Sequence, residues 1–97
     1  MTPMEKDIER ALGRKVGKCG GFCLKWVCPG FAGVPDRIIL LPGGRVAFVE
    51  LKRPKGGVLS ERQKWWGKKL IDLGFEYWTI WDFEELKLFE EVVLDEK

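Results

Sequence analysis

The feature that most constrains the fold is a pair of apolar segments joined by three turn-forming residues. The segments read DRIILL and RVAFVELK, and PGG lies between them, from Pro42 to Gly44. Two strand-like segments separated by such a turn predict a β-hairpin. Because both segments are apolar almost without interruption, as is typical of strands buried on both faces, we expect them at the centre of a sheet.

Periodicity and chain breakers predict the other elements. An N-terminal helix is expected over 3–17, with Thr2 as its cap. The segment FCLKWVC alternates and predicts a first strand whose buried face carries Phe22, Leu24, Trp26 and Cys28. A helix capped by Ser60 and ended by Gly74 follows the hairpin, then a strand over 75–81 and a helix from Asp82 to about Val93.

The expected fold class is therefore α/β, in the order αβββαβα. The helix between the third and fourth strands is long enough for a parallel crossover, which predicts a mixed β-sheet flanked by helices. At 97 residues the chain is expected to form a single domain, 1–97.

Two carboxylates and a lysine interrupt the apolar hairpin. Glu50 and Lys52 are two residues apart on a strand and project from one face. Asp36 joins that face only if the turn has three residues, which pairs Asp36 with Glu50; a two-residue turn pairs it with Leu51 and points it away. We predict the three-residue turn or an equivalent bulge.

In that register the backbones of Asp36 and Glu50 lie within about 5.5 Å, and the carboxylates repel unless a cation sits between them. Oxygen ligands suit Mg²⁺ or Mn²⁺, and the backbone carbonyl of Leu51 is a further candidate ligand. Such a metal activates water, while Lys52 can orient that water and stabilise charge on a phosphate. The arrangement indicates hydrolysis of a phosphodiester.

Charge distribution also favours a polyanionic partner. The chain has 17 Lys and Arg against 15 Asp and Glu, but many of the acids follow Asp82, so the region from Arg10 to Lys69 is strongly basic. A phosphate backbone would fit. Its candidate contacts are Lys25, Arg37, Arg53, Lys55, Lys64 and Lys68.

The three cysteines and the absence of histidine argue against a tetrahedral zinc site. We expect reduced thiols and hence a cytoplasmic protein. No apolar run reaches the roughly 18 residues of a membrane span, and no signal peptide is recognisable, so no membrane association is expected.

The motifs GVPD, VELK with its glutamate fourteen residues after the aspartate, and LSERQ, after an N-terminal helix containing Glu5, together resemble a known family. This is the VRR-NUC (virus-type replication-repair nuclease) branch of the PD-(D/E)XK nucleases, with a restriction-endonuclease-like fold. The resemblance implies that Asp36 and Glu50 bind the metal, that Lys52 is catalytic, and that Gln63 places water or phosphate. Glu5 would complete the metal site, directly or through water.

The same resemblance implies a function and a setting. The short chain looks like the stand-alone phage type, similar to Holliday-junction resolvases that act as homodimers in a bacterial cytoplasm. Candidate dimer contacts are Trp65 or Trp66, Phe75 and Tyr77. The expected activity is structure-selective DNA cleavage, with a flap or nicking nuclease or a non-catalytic DNA-binding module as alternatives.

Two site assignments have competing interpretations. Glu5 also completes a capping box with Thr2, and Glu9, one turn later, is an alternative acid for the site. Gln63 alone is also an ordinary residue for the first turn of a helix. A lone ExK motif is weak evidence, whereas the ordered set of motifs is specific. These assignments therefore depend on the whole set.

Overall fold

A computed structural model describes residues 5–52 and 57–94 of the chain. The element order agrees with the predicted αβββαβα. The elements are α1 Glu5–Lys18, β1 Phe22–Lys25, β2 Arg37–Leu41, β3 Arg45–Leu51, α2 Glu61–Asp72, β4 Glu76–Ile80 and α3 Phe83–Phe89. A 3₁₀ turn joins β2 to β3, and a π-helical turn over Glu90–Leu94 continues α3. The predicted cap Thr2 lies outside the described residues.

The sheet is mixed and has the strand order β1-β2-β3-β4. The first three strands are antiparallel, and β4 is parallel to β3. Arg37 pairs with Val49 and Leu41 with Arg45, so the turn has three residues as predicted. Gly43 and Gly44 both have positive φ values, 80° and 77°, which glycine adopts without strain.

The core lies between one face of the sheet and helices α1 and α3. Its members come from both helices and from three strands, and include Ile8, Leu12, Ile39, Val49, Ile80, Leu86, Phe89 and Val93. Full burial of each such side chain contributes roughly 1.5–3 kcal/mol. Helix α2 lies on the opposite face, where Gly67 packs against the ring of Tyr77.

The predicted buried face of β1 was wrong. The strand ends at Lys25, and Phe22 and Leu24 are 65% and 46% exposed, whereas Cys23 packs against the core. Cys23 pairs with the buried Ile39, and paired residues of antiparallel strands share a face. The central strands also differ from each other, since β3 is buried on both faces but β2 is not.

Helix α2 begins and ends where the sequence predicts. Ser60 caps it, and after Leu73 the chain turns at Gly74, whose φ is 97°. The Gly74 N–H donates to the Ile71 carbonyl at 2.9 Å, and the Phe75 N–H to the Leu70 carbonyl at 3.0 Å, which is the Schellman pattern.

Two helical glycines should respond oppositely to alanine. A Cβ on Gly67 would lie 2.6 Å from Cε2 of Tyr77, whereas a Cβ on Gly13 meets nothing within 4 Å. We expect Gly67→Ala to destabilise the fold by about 1–3 kcal/mol through overpacking. Gly13→Ala should stabilise it by about 0.5–1 kcal/mol through helix propensity. Urea unfolding measures both, and a Gly67→Ala protein as stable as the parent would contradict this packing of α2.

Candidate active site

The hairpin brings Asp36 and Glu50 together at one end of the sheet. Asp36 immediately precedes β2, and the register that pairs Arg37 with Val49 continues to Asp36 opposite Glu50, on the same face as α2. The Asp36 carbonyl accepts a hydrogen bond from the Trp26 N–H at 2.9 Å. Its carboxylate accepts from the Leu51 N–H, at 3.2 Å to Oδ1 and 3.4 Å to Oδ2. Both the backbone and the side chain of Asp36 are therefore fixed.

Glu50 is held by the first turn of α2. Its side chain is buried, with the residue only 4% exposed, and Gln63 Nε2 donates to Glu50 Oε2 at 3.1 Å. Gln63 Oε1 accepts from the Ser60 N–H at 2.8 Å, while the Gln63 N–H donates to Ser60 Oγ at 3.1 Å. This is a capping box in which the glutamine also reaches the carboxylate. The two interpretations of Gln63 are therefore compatible.

Burial and mutual repulsion disfavour charge on this pair. Burial, together with the nearby charge of Glu5, raises the pKa of Asp36 to about 6, against opposing effects of the Leu51 N–H and Lys52. Burial and then the charge of Asp36 raise the pKa of Glu50 to about 7, which Lys52 partly opposes. A cation between the carboxylates would relieve both effects.

The structure separates the two candidate N-terminal acids. Glu9 forms an ion pair with Arg37, whereas the charge of Glu5 acts on both Asp36 and Glu50. Within residues 5–52 and 57–94, no group of three or more His, Cys, Asp or Glu side chains is placed to hold a metal ion. Glu5 is therefore the acid whose charge acts on the carboxylate pair, whereas Glu9 is engaged with Arg37.

The donor set at the hairpin end nevertheless fits a hard divalent cation. The side chains offer two carboxylates, and the Leu51 N–H points to Asp36. In a β-strand the C=O of a residue projects to the same edge as its N–H, so the Leu51 carbonyl faces that side too. Three oxygen ligands with room for water are typical of Mg²⁺ and Mn²⁺ sites.

The predicted DNA contacts divide into three groups. Lys25, Lys64 and Lys68 are exposed, and Lys64 Nζ lies 3.3 Å from the carboxylate of Glu61. Arg53 and Lys55 fall outside the part of the chain that the structure describes.

Arg37 does not fit a surface contact. It is 8% exposed, and its guanidinium donates to the Asp36 carbonyl at 2.8 Å and pairs with Glu9. Arg37 pairs with Val49, so its side chain projects to the α1 face. Sequence analysis did not identify this ion pair, since only the fold brings α1 against β2. The placement of Arg37 favours a role in holding Asp36 and α1 in position.

Without metal, stability should fall as pH rises. The native pKa values of Asp36 and Glu50 exceed the usual ones, so the native state binds more protons than the unfolded chain between about pH 4 and 7. The free energy of unfolding should therefore drop by about 1–3 kcal/mol between about pH 5 and 8. The chain has no histidine to titrate in this range. Urea unfolding in chelator measures the drop.

The matched control for this prediction is the double variant Asp36→Asn/Glu50→Gln, which should flatten the pH dependence. Adding Mg²⁺ at about pH 8 should restore stability to the parent and leave the double variant unchanged. An equal pH dependence in both proteins would assign the effect to other groups.

Comparisons with known proteins agree with this fold. No protein-family model matches the chain. Over 50 residues, 52% of this chain, it is 50% identical to "Putative nuclease p44" of Acyrthosiphon pisum secondary endosymbiont phage 1. The chain matches over about half the length of that curated relative, 54%.

A solved structure described as a VRR_NUC domain superimposes with a TM-score of 0.85 at 21% identity, covering 92% of this chain and 96% of that one. The chain therefore has the fold of that domain, and the fold that the motif resemblance implied is confirmed. Cys19, Cys23 and Cys28 are free, as expected. None of the helices within 5–52 and 57–94 is long and apolar enough to cross a bilayer.

Proposed function

We propose that this chain, which has the VRR-NUC fold, is a divalent-metal-dependent nuclease that hydrolyses phosphodiester bonds in DNA. The observation that carries the proposal is the Asp36–Glu50 pair, in which Glu50 is buried and Asp36 is half-buried, so that burial raises the pKa values of both. Helix α2, whose Gln63 donates to Glu50, also carries the exposed Lys64 and Lys68. Plain DNA binding gives no reason to bury two carboxylates beside a phosphate-binding surface. Partial sequence identity to a phage protein named as a nuclease supports the same activity.

The residues divide the work as follows. Asp36, Glu50 and the Leu51 carbonyl would hold Mg²⁺ or Mn²⁺, which when bound supplies Lewis acidity and a water of lowered pKa. Lys52, whose charge acts on both carboxylates, orients the attacking water and offsets negative charge growing on the phosphate. Gln63 fixes the orientation of Glu50, and Glu5 adds negative charge at the rim of the site.

We extend the proposal to branched DNA and a homodimer. Two like strands of a four-way junction are related by a two-fold axis, and a C2 dimer presents two sites with the same symmetry. Of the predicted dimer contacts, Tyr77 is half-buried beneath α2, whereas Trp65 and Phe75 are exposed. A further apolar surface lies on the α2 side of β1 and β2, where Phe22, Leu24 and Leu40 are exposed. A second copy would cover this surface.

One experiment tests activity, substrate and assembly together. Labelled four-way junction, flap and linear duplex are incubated with Mg²⁺, with Mn²⁺ or with chelator, and light scattering gives the mass with and without junction DNA. We expect metal-dependent cleavage of the junction and twice the mass of the 11.2 kDa chain. Metal-dependent cleavage by a monomer would favour a flap or nicking nuclease. Binding without any cleavage would favour a DNA-binding module.

A further inference from the structure

An aromatic pocket lies beside the candidate site and has no part in the chemistry proposed above. Its volume is about 530 Å³, and Phe31, Trp65, Trp66, Arg62 and Glu61 line it. The rings of Phe31 and Trp66 have centroids 6.0 Å apart at 79°, and those of Trp65 and Trp66 are 5.2 Å apart at 87°. Phe31 is 58% exposed and Trp65 is 55% exposed. Flat aromatic faces are therefore available to a ligand.

A close backbone contact holds the two walls of the pocket together. Gly33 has a φ of +91°, and a Cβ there would lie 2.7 Å from the Arg62 Cβ and 2.8 Å from the Arg62 carbonyl carbon. Only glycine allows this approach. The loop between β1 and β2 thus rests directly on the first turn of α2, which positions Phe31 against Trp66.

Helix α2 connects the pocket with the carboxylate pair, since it carries residues of both. Gln63, which donates to Glu50, directly follows Arg62 and precedes Trp66 by three residues. Residues three apart lie on the same side of a helix, separated by just under one turn of about 5.4 Å. A nucleotide whose phosphate reaches Glu50 would therefore have a neighbouring base at the aromatic rings.

The charges around the pocket also suit a nucleotide. Arg62 forms part of the wall, and Lys69 Nζ lies 5.4 Å from the centre of the Trp65 ring. The acid in the wall, Glu61, is paired with Lys64. If two copies met here about a two-fold axis, the cations of one copy would face the same cations of the other and repel them. A nucleotide instead offers both an aromatic face and a phosphate.

We propose that this pocket stacks an unpaired nucleobase of the DNA strand that is bound at the Asp36–Glu50 pair. The inference rests on the proposed nuclease function and deepens it. A base inside a continuous duplex is already stacked on both faces and cannot enter without being extruded. DNA with unpaired nucleotides at a branch or end supplies such a base, and the pocket therefore selects it over linear duplex.

The first test measures binding without cleavage. Anisotropy of fluorescent oligothymidylate in chelator is compared for the parent, Phe31→Ala and Trp65→Ala. Both side chains are more than half exposed, so the variants should fold. We expect affinity to fall roughly five- to hundredfold, the range for loss of one stacked base. Phe83→Ala, an exposed phenylalanine on α3 across the sheet, is the matched control and should bind like the parent.

The second test locates the base. A flap substrate carries one abasic site, moved one nucleotide at a time from the position that the parent cleaves. The parent should lose affinity at one position close to that phosphate, and Phe31→Ala should show no further loss there, because the stacking partner is already absent. Unchanged affinity in both variants, or the same abasic profile in parent and variant, would overturn the proposal.

The outcomes separate the pocket from the nuclease function. If no metal supports cleavage but the loss of affinity at one abasic position still depends on Phe31, the pocket proposal stands and the catalytic proposal fails. The abasic positions are then counted from the junction between single-stranded and double-stranded DNA. If cleavage occurs and the variants bind and cleave as the parent does, the pocket proposal fails alone. If Trp65→Ala lowers the mass in light scattering and not the affinity for oligothymidylate, the rings form a contact between copies, which overturns the stacking proposal.

Discussion

Replacing Glu50 by glutamine is expected to reduce DNA cleavage by about 10²–10³-fold or more, while the protein remains folded. Glutamine keeps the shape of the side chain, and its amide oxygen can still accept from Gln63 Nε2, which now donates to Glu50. The substitution removes a carboxylate that is costly to ionise, because burial and the charge of Asp36 raise the pKa of Glu50 to about 7. Without metal at about pH 8, the variant should be as stable as the parent or more stable, by up to about 1–3 kcal/mol.

The measurements are single-turnover cleavage of the preferred DNA and urea unfolding in chelator. Glu91→Gln, an exposed glutamate after α3, is the control for removing one negative charge and should leave both quantities unchanged. A Glu50→Gln protein that cleaves at a rate near that of the parent would remove Glu50 from the site. A large loss of stability would indicate a structural carboxylate instead.

The relation between Asp36 and Glu50 was predictable because it depends on local chemistry. The length of the turn fixes the register of a hairpin, and two glycines with positive φ allow three residues there. Once the register is known, the period of two assigns every side chain to a face. The same reasoning located the start of α2, where Ser60 and Gln63 form the capping box.

The faces of β1 were not predictable in the same way. Alternation shows that two faces exist but does not identify the one that meets the core. The larger side chains of Phe22 and Leu24 suggested the wrong face, because the pairing of Cys23 with Ile39 depends on where the long connection to β2 returns. An edge strand can also leave large apolar residues exposed where another surface covers them.

The ion pair of Arg37 with Glu9 has the same origin. Local sequence places Glu9 on a helix and Arg37 on a strand, 28 residues apart in one chain with many other charges. Only the packing of α1 over the face that Val49 shares with Arg37 makes them neighbours. Gly33 is similar, since its contact with Arg62 joins a loop to a helix that follows it by an entire hairpin.

Lys52→Met should lower the cleavage rate by orders of magnitude without a matching loss of metal affinity. Lys52 follows β3, and its N–H donates to the Ile80 carbonyl at 3.1 Å, a backbone bond that the substitution retains. Its ammonium lowers the pKa values of Asp36 and Glu50 and would repel a bound cation. Without this ammonium, the pKa values of Asp36 and Glu50 rise, so protons compete more strongly with metal for the carboxylates near neutral pH. At about pH 8.5, where both carboxylates are ionised, metal should bind as tightly as in the parent or more tightly.

The separation of rate from affinity distinguishes a catalytic lysine from a structural one. Affinity for Mn²⁺ is measured by calorimetry at about pH 8.5, and cleavage is measured under single-turnover conditions at saturating metal. Lys87→Met, an exposed lysine on α3, is the control and should match the parent in both. If Lys52→Met lost affinity and rate by the same factor, the ammonium would act by ordering the carboxylates. A rate loss that persists at saturating metal places its effect in the transition state, where negative charge on the phosphate is greatest.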